Sequence, residues 1–367
     1  MARKLKFDRW LFLTTLVLLA VGIVMVYSAT SLMGAGTAER PNAFPFKQGA
    51  FALAGLIAML VAMQIDYARY REPRVILGIT GLTLAALLAV RIVGPEINGT
   101  HRWFAVAGVG IQPSEFAKLA IILFTAAVLE RRMDRIGEPT YALGPVVVVL
   151  VPMVALILWQ PDYGSAVALL AIVAVMVFAA GLSWRYIVRA GLVVVPAVAV
   201  VAFLDRYRVR RLTAFLDPWS DSSDSGYQVV QSLIAVGSGG VTGRGLGYSV
   251  QKLGYLPYAH TDFIYAVIAE ELGLIGASVL LVGFCIITWR GLRTASRAPD
   301  GFGAFLALGL TAMIGIQAFV NMSVVLGLLP TKGITLPLIS AGGSSLIMSL
   351  AGMGVLLNIS QRASATT

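Results

Sequence analysis

The sequence predicts an all-α integral membrane protein of about ten transmembrane helices, with a large extracellular loop between spans 7 and 8. Three observations predict it. Of 367 residues, 58% are apolar and only 13% charged, where a soluble domain needs about 25%. The apolar residues gather into runs of roughly the 20 residues that cross a bilayer. Basic residues cluster in alternate connections between those runs, as the positive-inside rule demands. The chain 1–367 therefore reads as a single membrane domain.

The same numbers exclude other classes. The net charge of +10 forms no basic stripe with interleaved aromatics, so nucleic acid is not an expected partner. Cys285 is the only cysteine, which rules out an intramolecular disulfide and a cysteine metal site. His101 and His260 are too few for a zinc site of common type.

The first run, 10–32, follows the basic segment Arg3, Lys4, Lys6 and Arg9. Its apolar stretch from Trp10 to Tyr27 is too long for a signal-peptide core, and no small-residue cleavage site follows, so it reads as a retained span. Runs 47–65 and 75–94 come next. The fourth, 114–130, opens on Pro113 and Ser114, a helix start. The fifth and sixth, 143–159 and 163–181, are separated only by Gln160-Pro161-Asp162, where the proline breaks the hydrogen-bond ladder. Runs 186–204, 263–288, 303–328 and 342–359 complete the set.

Orientation follows from the loops between them. With a cytoplasmic N-terminus, the inner loops hold Arg69, Arg71 and Arg74, then Arg131, Arg132 and Arg135, then Arg185 and Arg189, then Arg290, Arg293 and Arg297. The short outer loops hold only Arg40 and Lys47, Arg102, and Lys332. Both termini are expected inside. The long polar segment 205–262, with Arg206, Arg208, Arg210 and Arg211 near its start, is expected outside, and loops of that length are usually functional.

Charged residues at membrane depth are functional candidates, because an unpaired charge there costs several kcal/mol. Glu115 and Lys118 sit three apart on one helix face. They form either a self-neutralising pair or the lining of a hydrophilic cavity, and the two readings are compatible. Asp162 stands where a carboxylate would cap the sixth span. Glu270 and Glu271 lie inside the eighth, and one of them is expected to face the bundle as structural glue. Asp262, in His260-Thr261-Asp262-Phe263, marks the entry of the long loop into the eighth span. Spacing alone leaves it either a helix cap or a general base at the mouth of a cavity.

Two glycine-rich elements remain. The run from Gly237 to Gly247 fits neither a Walker loop nor a dinucleotide fingerprint and reads as tight turns. The segment from Pro330 through Lys332 to Pro337, followed by Ser340-Ala341-Gly342-Gly343-Ser344-Ser345, could receive a pyrophosphate on Lys332 and backbone N–H groups. An ordinary loop and helix cap explains it equally well. Asn98-Gly99-Thr100 matches a glycosylation sequon by chance.

Taken together, these motifs resemble the SEDS family (shape, elongation, division and sporulation). The resemblance runs the whole length, through Asn98–Trp103, Gln112–Lys118, Gln160–Gly164, Gly226-Tyr227-Gln228 with Gln231-Ser232, His260–Phe263, Glu270–Gly273 and Ser340–Ser345. Ala259 and Ala341 depart from residues the family often has there. Leu329–Gly333 and Ser249–Leu253 look more like its division branch than its elongation branch.

The resemblance implies polymerisation of lipid II into peptidoglycan glycan strands by an inverting glycosyltransferase on the outer face of the cytoplasmic membrane. It marks Asp262 as catalytic. Arg102, Glu115, Lys118, Asp162, Arg210, Gln231, His260, Lys332, Ser340 and Ser344 are implied to bind substrate or line its cavity. It also implies a class B penicillin-binding protein and other cell-wall proteins as partners, and admits a divalent cation, Mg or Mn, although no ligand cluster in the sequence demands one. A lipid II flippase is one rival reading and a non-catalytic scaffold of the division or elongation machinery another.

Overall fold

The computed structural model describes residues 7–31, 43–97, 99–106, 109–203, 213–331 and 333–363. Helices occupy all ten apolar windows. They are α1 (Arg9–Thr30), α2 (Ala43–Gln64), α3 (Pro73–Val93), α4 (Pro113–Arg132), α5 (Pro139–Trp159), α6 (Tyr163–Ala179) and α7 (Trp184–Phe203). After α8 (Tyr227–Gly239), which belongs to the long loop, come α9 (Ile264–Ser296), α10 (Gly301–Val325) and α11 (Gly343–Ala363). Among the described residues, seven of them, α1, α2, α3, α5, α9, α10 and α11, are long and apolar enough to cross a membrane, and α6 is a shorter apolar helix.

Local chemistry fixes the starts. Pro73, Pro113 and Pro139 each occupy a first turn, where a missing N–H costs nothing. Asp8, Asp162 and Asp300 cap α1, α6 and α10 by accepting from Leu11, Ser165 and Gly303 N–H groups. Asp8 also holds Arg290 of α9, and its N–H donates to the Ser360 hydroxyl of α11. Helix α4 packs against α3, α5, α6 and α10, while α11 lies along α2 and α9 along α10. A two-stranded hairpin, β1 (Phe104–Val106) with β2 (Val109–Ile111), fills the connection before α4, in antiparallel register Phe104 with Ile111. Nothing in the apolar pattern announces it.

The long segment departs further from expectation. It contains α8, whose buried face includes Val229, Val230 and Ala235 and whose Ser232 hydroxyl donates to the Val325 carbonyl of α10 at 2.7 Å. Helix α9 is longer than its apolar window and is broken at Gly273, which takes φ +66° and ψ −165°. The glycine-rich run closes this break. Arg244 and Gly245 N–H groups donate to the Glu270 and Glu271 carbonyls at 3.0 and 2.9 Å. On the other side of the break, Leu274 and Ile275 N–H groups donate to the Gly240 and Val241 carbonyls. Only glycine serves here: a Cβ on Gly273 would stand 2.3 Å from the Gly243 nitrogen.

Both glutamates beside the break are completely buried, where one was expected to be. Glu270 accepts from the Ser249 hydroxyl and from the Val250 and Gln251 N–H groups, with Arg244 at 3.5 Å. Glu271 accepts from Lys252 at 2.7 Å, from Ser28 of α1 at 2.8 Å and from the Gly247 N–H at 3.0 Å. Lys252 is itself buried and also donates to Ser28. These carboxylates fasten the loop to α1 and α9.

Candidate functional site

Asp262 stands immediately before α9. The cap position falls on Phe263, and no side chain caps there, so capping does not account for the aspartate. Its carboxylate accepts no hydrogen bond among the described residues. The backbone carbonyls of residues 260–262, by contrast, are all held. Asn321 of α10 donates to the Asp262 carbonyl at 2.8 Å, Ser340 to the Thr261 carbonyl at 2.6 Å, and the Ala341 N–H to the His260 carbonyl at 3.0 Å. Ser340 also accepts from the Leu336 N–H at 2.8 Å. The loop 333–341 is thus stitched along the 260–262 segment, and a Cβ on Gly333 would lie 3.2 Å from Asp262 Oδ2.

Across this loop stands the start of α6, where a Cβ on Gly164 would meet Ile334 at 2.8 Å. Buried Asp162 accepts from Gln112 at 3.0 Å, Ser114 at 3.2 Å and the Ser165 N–H at 3.1 Å. Arg102 donates through Nε and Nη2 to the Gln160 and Pro161 carbonyls at 2.8 and 2.7 Å, so its guanidinium is fixed on the turn that leads to Asp162. Burial pushes the Asp262 carboxyl up to about 7; the nearby Asp162 charge adds to this and the Arg102 charge opposes it. Burial lowers the pKa of His260.

The remaining expected residues divide into four groups. Glu115 and Lys118 are both buried and pair with each other at 2.8 Å in the first turn of α4, below Ser114. Ser344 is buried at the head of α11 and accepts from the Gln112 N–H at 3.3 Å. Gln231 lies partly buried on α8 and makes no hydrogen bond through its side chain among the described residues. Arg210 and Lys332 lie outside the described residues.

The arrangement brings together one carboxyl with a raised pKa and no hydrogen-bond partner among the described residues, a second carboxylate that accepts from three donors, and a guanidinium, all at one end of the bundle. Two carboxyls in such different surroundings can take different roles, one open to a reacting hydroxyl and the other engaged by its donors. Among the described residues no three His, Cys, Asp or Glu side chains converge to hold a metal.

Sequence reasoning missed Asn321, an uncharged polar residue inside the window 303–328. Weighing uncharged polar residues at membrane depth along with the charged ones would have found it.

A family model described as a cell cycle protein, covering FtsW, RodA and SpoVE, matches residues 9–365. The chain belongs to this family. A probable peptidoglycan glycosyltransferase FtsW from Geobacter sp. (strain M18) is 45% identical over 97% of both chains. Stage V sporulation protein E of Bacillus subtilis (strain 168) is 40% identical over 96% of this chain and 97% of that one. The solved structure of Thermus thermophilus RodA matches with a TM-score of 0.72 at 31% identity, covering 98% of each chain. A structure of a peptidoglycan synthase complex that coordinates polymerization and crosslinking matches with a TM-score of 0.80 at 31% identity, over 98% of this chain and 99% of that one. The FtsW/RodA/SpoVE fold is therefore common to the whole length.

Proposed function

We propose that this protein is a peptidoglycan glycosyltransferase that polymerises lipid II, with Asp262 as the general base. The observation that carries the assignment is the Asp262 carboxyl, fixed by its backbone yet accepting no hydrogen bond among the described residues. In the reaction, the 4-hydroxyl of the acceptor sugar attacks the anomeric carbon of the donor. The bond from that carbon to the pyrophosphate oxygen breaks, undecaprenyl pyrophosphate leaves, and the hydroxyl proton passes to Asp262. One displacement inverts the anomeric centre, so a single base suffices, unlike the paired carboxylates of a retaining glycosidase. Arg102, fixed by two carbonyls, is placed to offset pyrophosphate charge, joined by Lys118, Lys332 and Arg210.

The reading extends to ten spans with both termini cytoplasmic and the site outward, supported by the alternation of basic loops. The division role is supported by FtsW-named relatives at 45% and 42% identity, against 31% for the RodA structure. A divalent cation would arrive with the pyrophosphate, taking its ligands mainly from phosphate oxygens and water. Chelation by EDTA tests whether the reaction needs it. The partner is a class B penicillin-binding protein whose single membrane helix docks on α9. The exposed apolar face of α9 formed by Leu274, Ile275, Val279 and Val282 supports that position.

The test is lipid II polymerisation by purified protein in detergent, alone and with that partner. Asp262→Asn is nearly isosteric and cannot accept the proton. It should lose activity by about 10²–10⁴-fold in both settings, the range of general-base effects. Normal polymerisation by a folded Asp262→Asn variant sinks the mechanism. Absence of polymerisation by the parent in either setting favours a flippase or a scaffold. A failure to recover any such partner from crosslinked membranes removes the pairing.

A further inference from the structure

Asn321 lies near the C-terminal end of α10 and is almost completely buried. Its Nδ2 donates both hydrogens, one to the Asp262 carbonyl at 2.8 Å and one to the Ile334 carbonyl at 2.7 Å. Its Oδ1 is buried and has no hydrogen-bond partner among the described residues. An unbonded buried acceptor forfeits its hydration, so this is a poor use of an asparagine for stability alone.

Asn358 provides the contrast within the same molecule. It too is buried and bridges two backbone groups, but it uses both ends of its amide. Its Oδ1 accepts from the Tyr67 N–H at 3.0 Å and its Nδ2 donates to the Met63 carbonyl at 2.8 Å. Asn321 gives up that balance in order to join two particular segments. One carries Asp262, and the other passes so close that a Cβ on Gly333 would lie 3.2 Å from the carboxylate.

We infer that Asn321 is a positioning residue for glycosyl transfer: by tying Asp262 and Ile334 to the same helix, it sets the gap beside the carboxylate into which the acceptor hydroxyl must come. This rests on Asp262 being the base. The charged groups that tune that base are Asp162 at the head of α6 and Arg102, bonded to the turn before it; His260 stands two residues away in the chain. Lys332 lies outside the described residues. Asn321 touches no substrate in this scheme and acts only through the Asp262 backbone.

The experiment compares parent, Asp262→Asn, Asn321→Leu, Asn321→Ser and Asn358→Leu as full-length proteins in lipid II polymerisation, with rates normalised to folded protein. Displacing a catalytic group by about 1 Å can cost of order 10²-fold, so Asn321→Leu should lose kcat on that scale with KM for lipid II little changed. Asn321→Ser keeps one donor and should fall between it and the parent. With Asp262 released towards water, the acidic limb of the pH–rate profile should move to lower pH in both Asn321 variants. Asn358→Leu should be less stable but keep the parent's kcat per folded molecule and its profile.

Parental kcat and pH profile in folded Asn321→Leu overturn the inference. So does a loss no greater than that of Asn358→Leu. If neither Asn321 variant folds, the residue is structural and the inference fails. Activity in Asp262→Asn fells the underlying reading instead, and this inference with it.

Discussion

Asp262 is held where its ionised form is disfavoured, and that has a thermodynamic cost with a definite sign. Its pKa rises from the usual 3.8 to about 7 on folding, so the folded chain binds this proton more tightly than the unfolded one. Stability from this group is present below pH 4, declines as the pH climbs towards 7, and is lost above it. Asp262→Asn never ionises and escapes the decline. It should melt at a higher temperature than the parent at pH 8, with the two curves converging near pH 4. An equal or lower melting temperature for the variant at pH 8 would show that the carboxyl is not desolvated. Polymerisation by the parent should rise with pH through about 7. The sequence identified this residue by motif and position, but it left cap or base undecided. Only the three-dimensional placement of Phe263 at the cap removes the capping role.

At the scale of elements, the break in α9 was not legible in the apolar pattern, because residues on both sides of Gly273 keep a helical distribution. The glycine-rich run was legible as turns, but its purpose was not. Its N–H and C=O groups complete a helix interrupted far along the chain, which no local pattern encodes. Backbone groups released at membrane depth must find partners, and here a loop supplies them. The loop is anchored by the buried pair of Lys252 and Glu271. Removing one member of such a pair leaves an uncompensated buried charge, which costs about 3–5 kcal/mol, whereas replacing both is often neutral. Lys252→Met should therefore lower the melting temperature sharply in detergent, and adding Glu271→Leu should recover most of the loss. If the double variant is no more stable than the single one, the pair does not act as a unit.

At the scale of the whole molecule, all ten apolar windows contain helices, because runs of this length and hydropathy leave a chain in lipid few alternatives. Helix α8 and the hairpin 104–111 escaped notice for the opposite reason. They are short, and tertiary packing rather than periodicity stabilises them. Orientation rests on the basic loops, and Cys285 makes it measurable, since Cys285→Ser provides a cysteine-free background. Cysteines placed at exposed Ser222 and Ser296 should react in opposite ways with an impermeant maleimide. Position 222 should label in cells whose outer barrier alone is opened, and 296 only after the inner membrane is permeabilised. The reverse pattern would invert the topology and place the site on the cytoplasmic side.

The stitching of residues 260–262 to Asn321, Ser340 and Ala341 also sets an order of events during biosynthesis. The ribosome delivers Asp262 well before the segments that hold it. A nascent chain that has inserted α9 carries the aspartate and its local turn but lacks Asn321, Ser340 and Ala341. These contacts form only when α10 and the loop after it have been translated and packed. On the proposed reading, a chain that stops short of them should make no polymer.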